Sequence, residues 1–316
     1  MKILGSDFDG TLNYNGIDDA KRQAISRWRS EGNIFAIVSG RSIDDLLRIY
    51  NGNSFECDYL IGSNGAVIAK VDGTVISSIQ CDGGIAAPLL KWLHKLAENN
   101  GSDLETVNLY IGGCSLETHW KNAKENNADY EFELNGNSTG RNISIHEALQ
   151  LEKWDVITVQ QVSGLSGLYE TYEPYLSSLL SVIKAAQSDA KIFLHQTWAY
   201  ERDSSHADFA RYDNNQATMF DCIKKASEKA AKSIGAELIP TGTVIQILRE
   251  TVPEFDYANG GISLCRDGFH LSLDYGRFAA AAVWLYTLSG KKIKTIEFEN
   301  FDTVLLEKIV NVVNGI

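Results

Sequence analysis

The stretch KILGSDFDGT, residues 2–11, is a short apolar run that delivers two acids, Asp7 and Asp9, at its end. A helical pattern follows over Asp18–Glu31, then an apolar strand over Ile34–Val38. A second helix covers Ile43–Tyr50, and DYLIG (58–62) returns as a strand. Strands alternating with helices predict a parallel sheet flanked by helices. AVIAKVDGTVISSI (66–79) alternates around Asp72-Gly73, which predicts a hairpin with a tight turn.

The texture changes at Cys81–Ile85, a short polar Gly-Gly stretch, and an amphipathic helix covers about Ala86–Asn99. Alternation then restarts. Residues 107–113, 154–161, 191–200 and 236–242 read as strands, and Tyr172–Gln187, Asn214–Ile234 and Tyr275–Leu288 as helices. Asn126–Ile145, rich in Asn and Gly, reads as an excursion or a short hairpin. The seam near 81–86 divides the chain into residues 1–84 and 85–316.

The chain has 316 residues, enough for two modest domains, with ordinary apolar (44%) and charged (22%) fractions. Its net charge of −12 argues against nucleic acid and anionic membrane as partners, since both need a basic face. A small anionic substrate remains compatible, because a metal or a helix N-terminus can hold it locally. Met1 leads directly into a strand-like run, so no signal peptide is expected, and no apolar run reaches the length of a spanning helix. Cys57, Cys81, Cys114, Cys222 and Cys265 are odd in number and widely spaced, which fits free thiols in a reducing cytoplasm.

Asp7 and Asp9 stand two apart on an extended segment and so point the same way. This suits a carboxylate nucleophile at Asp7 with Asp9 as general acid/base, and gives oxygen ligands to a hard cation such as Mg²⁺. Ser39 and Gly40, in IFAIVSGRS, end the second strand, where a hydroxyl and an amide could hold a phosphoryl oxygen. With IGSNGAVIAKVDGTVI (61–76), these residues resemble the haloacid dehalogenase superfamily, in its Cof-type sugar-phosphate phosphatase branch. The resemblance covers about residues 1–80. It implies a phosphorylated Asp7, Asp9 as acid/base, Ser39 as the phosphate-binding hydroxyl and Mg²⁺ at Asp7 and Asp9. That family also uses a later Lys and a GDxxND-type acidic pair, and residues 85–316 contain no such pair.

Near the other end, DGFHLS (267–272) sets Asp267 and His270 three apart, ahead of a helix. A His acting as general base, with an Asp fixing its tautomer, is two-thirds of a serine-hydrolase triad. YIGGCSLETHW (110–120) follows a strand with two Gly amides, Gly112 and Gly113, suited to an oxyanion hole. WDVITVQQVSG (154–164) ends a strand in Gln160 and Gln161, and HQTWAY (195–200) closes another. Together, residues 86–290 resemble SGNH (GDSL-like) esterases, in a bacterial branch of unassigned function. By that resemblance His270 is the base, Asp267 its orienting acid, Gly112 or Gly113 an oxyanion donor, and Gln160 or Gln161 stands in for the usual Asn. The nucleophilic Ser of that family leaves a first strand ahead of the first helix. Here SSIQCDGGIAAP occupies that place.

Three substitutes present themselves. Ser54, in GNSF (52–55), spells the motif but follows a helix and precedes a strand. Ser115, in GGCSLE, sits on a strand-to-helix turn and also suits a helix N-cap. Asp7 itself would approach His270 if KILGS filled a vacant central strand position. Trp120, Trp154, Trp198 and Trp284 fit core or pocket walls better than sugar platforms. His119, His195 and His206 match no compact metal pattern.

The expected architecture is α/β, three-layer α/β/α with mostly parallel sheets. A Rossmann-like haloacid dehalogenase fragment joins an SGNH-type, flavodoxin-like domain. Three functions compete: hydrolysis of a small-molecule ester, acylated carbohydrate included; Mg²⁺-dependent hydrolysis of a phosphate ester through Asp7; and non-catalytic binding by a remnant fusion.

Overall fold

The structure is a computed structural model that describes residues 1–8, 11–13, 16–41, 43–52, 55–62, 67–78, 86–296, 298 and 301–316. The chain divides into two compact units, Met1–Asp82 and Gly83–Ile316.

In the first unit, β1 (Ile3–Asp7), β2 (Ile34–Val38) and β3 (Tyr59–Gly62) run parallel, and β4 (Val67–Lys70) and β5 (Val75–Ser78) follow as an antiparallel hairpin. The sheet order is β1-β2-β3-β4-β5, so β1 lies at an edge, with Ile3 and Leu4 exposed. Its core joins Phe35, Ile37 and Leu60 of the strands to Ile25 of α1 (Asp19–Ser30) and Leu46 of α2 (Ile43–Gly52). Asp18 starts α1 by accepting from the Lys21 amide at 2.8 Å. Arg29 ends α1 in a forked contact with Asp58, at 2.7 and 3.0 Å, and Asp58 also accepts from Phe35 N of β2. Gly73 turns the hairpin at φ +88.

The second unit begins with α3 (Ala86–Asn99) and holds two sheets. β9 (Val156–Val159), β10 (Lys191–His195) and β11 (Glu237–Ile239) are parallel, in the order β11-β10-β9. They alternate with α6 (Tyr175–Ala186) and α7 (Gln216–Ile234). Period-two alternation splits β10 between two cores. Phe193 packs with α3, α8 (Thr241–Thr251), α9 (Tyr275–Ser289) and α10 (Thr303–Val313), while Ile192 and Leu194 pack with α4 (Leu116–Glu125), α5 (Ile145–Leu151), α6 and α7. The parallel sheet is thus sandwiched between helical layers. Ala279–Ala282 are fully buried, and their small side chains bring α9 close to α3.

The excursion is a hairpin, β7 (Tyr130–Leu134) and β8 (Asn137–Ile143), and β6 (Val107–Tyr110) pairs antiparallel with β7. Among the described residues, β6 and β8 end one sheet and β9 and β11 end the other. β1 enters neither sheet of this unit, so the expectation that KILGS fills a central strand position there fails. Its own partner, β2, holds it through five parallel register pairs. Among the described residues, no helix is long and apolar enough to cross a membrane.

Candidate functional site

Asp267 and His270 sit at the tip of a tight hairpin. Cys265 bridges Leu271, Ser272 N donates to Leu264 O, and Arg266 N donates to His270 O at 2.9 Å. Gly268 takes φ +84 at the tip, where a Cβ would come within 3.0 Å of Ser204 Cα. The Asp267 carboxylate organises this turn from inside. Its Oδ1 accepts from the amides of Phe269 (3.3 Å) and His270 (2.8 Å), an Asx-type turn. Its Oδ2 stands 2.7 Å from His270 Nδ1. A carboxylate can only accept, so Nδ1 carries a proton, and in the neutral ring Nε2 presents the lone pair. No hydrogen bond among the described residues engages Nε2. Burial pushes the Asp267 carboxyl up, but the imidazole and the two amides outweigh it and hold the group below its ordinary value. The His270 side chain keeps 27% of its surface accessible, enough for a substrate to reach it.

Neighbours fix the turn further. Trp198 Nε1 donates to Phe269 O at 2.7 Å, and Glu201 N donates to Gly268 O at 2.7 Å. The Phe269 ring packs on His270, with centroids 4.0 Å apart, and also meets Tyr200 and His206. Two surface cavities of about 310 and 300 Å³ are lined by Asn100 with Lys291–Lys294 and by Glu152 with Gln187, and neither is lined by His270.

Gly112 and Gly113 follow β6 and are exposed, and neither amide is engaged by an acceptor among the described residues. Gly113 takes φ +64, and the Tyr110 hydroxyl stands 3.2 Å from where a Gly112 Cβ would be. Burial, with the charges of Glu133 and Glu131, pushes the Tyr110 hydroxyl up, against a smaller opposing pull from Arg266.

The two glutamines separate cleanly. Gln161 is buried and spent: Oε1 accepts from Leu116 N and Val162 N, and Nε2 donates to Thr171. It fastens the end of β9 to the start of α4. Gln160 is exposed, and its Oε1 lies 2.7 Å from Nδ1 of the buried His195. Burial holds His195 neutral, with its pKa pushed down to about 3. Its Nε2 meets the Thr241 hydroxyl at 2.9 Å. This relay leaves the Gln160 amide NH₂ available as a donor.

Ser115 caps α4. Its Oγ accepts from Thr118 N at 3.2 Å and lies 3.1 Å from Thr118 Oγ1, and no hydrogen bond joins it to His270. Ser54 lies outside the described residues, as does Asp9. In the first unit, Asp7 pairs in register with Val38, so Ser39 follows at the same strand end. Asp7 Oδ2 accepts from Thr11 Oγ1 at 3.0 Å, and the buried Ser39 Oγ accepts from Arg41 N at 3.2 Å. Asp7 alone of the expected Mg²⁺ ligands is described, and among the described residues no three His, Cys, Asp or Glu side chains cluster to hold a metal.

The second unit also matches a known family. Residues 86–311 fit the model of the Domain of unknown function (DUF4886). The chain belongs to the DUF4886 family. A DUF4886 protein from Bacteroides uniformis is 35% identical, with a TM-score of 0.65 over 71% of this chain and 86% of that one. A protein of Slackia heliotrinireducens described as a candidate SGNH hydrolase is 22% identical, with a TM-score of 0.42 over 62% and 90% of the two chains. A haloacid dehalogenase-like hydrolase of B. subtilis is 19% identical, with a TM-score of 0.26 over 61% and 54%. Both of these TM-scores are low, and neither likeness establishes a shared chemistry. A search of curated proteins found no match.

No sequence pattern marks Glu201 and Arg249, which lie 48 residues apart and meet in the interior beneath this turn. His195 and Thr241, which orient Gln160, are likewise paired only by the sheet.

Proposed function

We propose that this DUF4886 protein is a carboxylic-ester hydrolase of SGNH-like, flavodoxin-like architecture, acting on a small-molecule ester such as an acylated carbohydrate. His270 is the general base and Asp267 its orienting acid. Gly112, Gly113 and Gln160 donate to the oxyanion that develops on the carbonyl. The observation that carries this reading is the 2.7 Å contact between His270 Nδ1 and Asp267 Oδ2, with Nε2 left unpaired. That geometry commits the ring to one tautomer and lets Nε2 take a proton from an attacking hydroxyl. The donors then stabilise charge that the ground-state ester lacks.

The test is turnover of p-nitrophenyl acetate together with labelling by a fluorophosphonate probe and mass-spectrometric mapping of the labelled serine. Turnover that disappears in His270→Ala, with a single labelled serine, supports the reading. A folded protein that neither turns over the ester nor labels at any serine sinks it.

A second reading is favoured by the shared strand end of Asp7 and Ser39. There the first unit hydrolyses a phosphate ester, with Asp7 attacking phosphorus. It predicts p-nitrophenyl phosphate hydrolysis, measured with and without added Mg²⁺, that Asp7→Asn abolishes. Activity surviving that substitution rejects it.

A further inference from the structure

The hairpin that carries Asp267 and His270 is anchored to one buried carboxylate. Glu201, just beyond β10, is 3% exposed and Arg249 of α8 is 6% exposed. Glu201 Oε2 accepts from Arg249 Nη2 at 3.3 Å and from Ser263 Oγ at 2.8 Å, and Oε1 accepts from Gln216 Nε2 at 2.7 Å. The same Ser263 hydroxyl accepts from Cys265 N at 3.0 Å. Arg249 closes the circuit through Ala199 O at 2.9 Å and Cys265 Sγ at 3.3 Å. The Glu201 backbone amide, finally, holds Gly268 O at the hairpin tip.

One residue thus grips the hairpin at its root, through Ser263, and at its tip, through Gly268. A buried charge pair is a weak source of net stability, because desolvation offsets the attraction. It does enforce geometry: a buried carboxylate with three side-chain donors has few alternative arrangements. We propose that Glu201, paired with Arg249, is a positioning residue that fixes the register of the hairpin and so keeps the Asp267 carboxylate against His270 Nδ1. This rests on the reading of His270 as the base, and it adds the part of the interior that keeps that base in a single tautomer. Glu201 acts through Ser263, Cys265 and Gly268 and touches no substrate.

The experiment pairs kinetics with a tautomer measurement. Glu201→Gln keeps the shape but leaves Arg249 buried without its countercharge, so that variant risks misfolding. Ser263→Ala removes only the hydroxyl link and is the milder probe, and Ser263→Thr restores the hydroxyl. In Ser263→Ala, with circular dichroism unchanged, kcat for p-nitrophenyl acetate falls about 10- to 100-fold, the cost of slight misplacement of a reacting group. KM stays within about twofold, because ground-state binding is untouched. Ser263→Thr recovers kcat. Two-bond ¹⁵N–¹H spectra of histidine-labelled protein show His270 as the Nδ1–H tautomer in the wild type and as a mixture in Ser263→Ala.

Unchanged kcat and an unchanged tautomer in both Ser263→Ala and folded Glu201→Gln overturn the proposal. If the wild type turns over no ester, the hydrolase reading fails by itself and the tautomer still decides the positioning role. If wild-type His270 lacks the Nδ1–H tautomer, the Asp267–His270 pairing fails, and the positioning role with it.

Discussion

Asp7 ends a strand and Asp267 stands in a turn beyond an isolated bridge, and the structure treats the two acids differently. Asp7 has one described partner, the Thr11 hydroxyl, on the edge strand of its sheet. Asp267 has three donors on two oxygens, two amides and an imidazole, in a turn pinned from below. Its DxDGT motif makes Asp7 the more recognisable residue in sequence, while the described contacts of Asp267 engage both of its carboxylate oxygens. A motif reports which chemistry a residue type suits. Directed hydrogen bonds report which residue is held ready for it.

The largest expected effect is catalytic and can break this comparison outright. His270→Ala lowers kcat/KM for p-nitrophenyl acetate by at least about 10³-fold, as loss of a triad base does. Asp7→Asn leaves the same rate unchanged. Steady-state kinetics on both purified variants decide it, and a loss confined to Asp7→Asn would invert the comparison.

Next in size is a contrast between ion pairs. Arg249→Met strands Glu201 as an uncompensated buried charge and destabilises the second unit by about 3–5 kcal/mol. Arg29→Met removes the partly exposed fork to Asp58 and costs the first unit about 1 kcal/mol. Hydrogen exchange resolved by unit measures both, and equal costs would show that burial does not distinguish the pairs.

How much of this was legible follows from range. The alternation that predicts β1, β2, β3, β9 and β10 is local, and so is the Asp72-Gly73 turn. The helix over Ala86–Asn99 matches α3 because its apolar stripe is clear in sequence. The helix α10, over TVLLEKIVNVV, went unread because its β-branched residues have low helix propensity; its packing against α9 and α8 overrides that. The strand expected over 236–242 runs only over Glu237–Ile239, because Pro240 stands at the N-cap of α8 and turns the chain into that helix. Asp267 and His270 pair across three residues, so spacing alone suggested them. The choice between Gln160 and Gln161 was illegible, because alternation says they point to opposite faces without saying which face holds His195. Glu201 and Arg249 meet only once β10 and α8 are packed.

A pH series sharpens the contrast between the acids. The folded-state pKa of Asp267 is depressed, so its contribution to stability is fully present above the ordinary carboxylate value and is lost as pH falls through the folded value. Chemical denaturation of wild type and Asp267→Asn should therefore differ near neutral pH and converge below about pH 4. A gap that widens on acidification would mean that the imidazole and amides do not favour the carboxylate.

The smallest effects concern two helix caps, one in each unit. Asp18 and Ser115 each accept one amide hydrogen bond at a helix start, from Lys21 and Thr118. Replacing either by Ala costs about 1 kcal/mol by urea denaturation, the usual worth of a cap. Neither change should alter ester turnover by more than about twofold if capping is the whole role of each side chain. Ser115 is the sharper case, since it stands beside Gly112 and Gly113 on a strand-to-helix turn. Ser115→Ala that loses turnover and fluorophosphonate labelling along with its 1 kcal/mol would make the hydroxyl a nucleophile as well as a cap. The α4 turn would then have to swing its Oγ out of the contact with Thr118 and toward His270 Nε2. Retained turnover instead places the attacking hydroxyl elsewhere, and the mapped probe adduct identifies it.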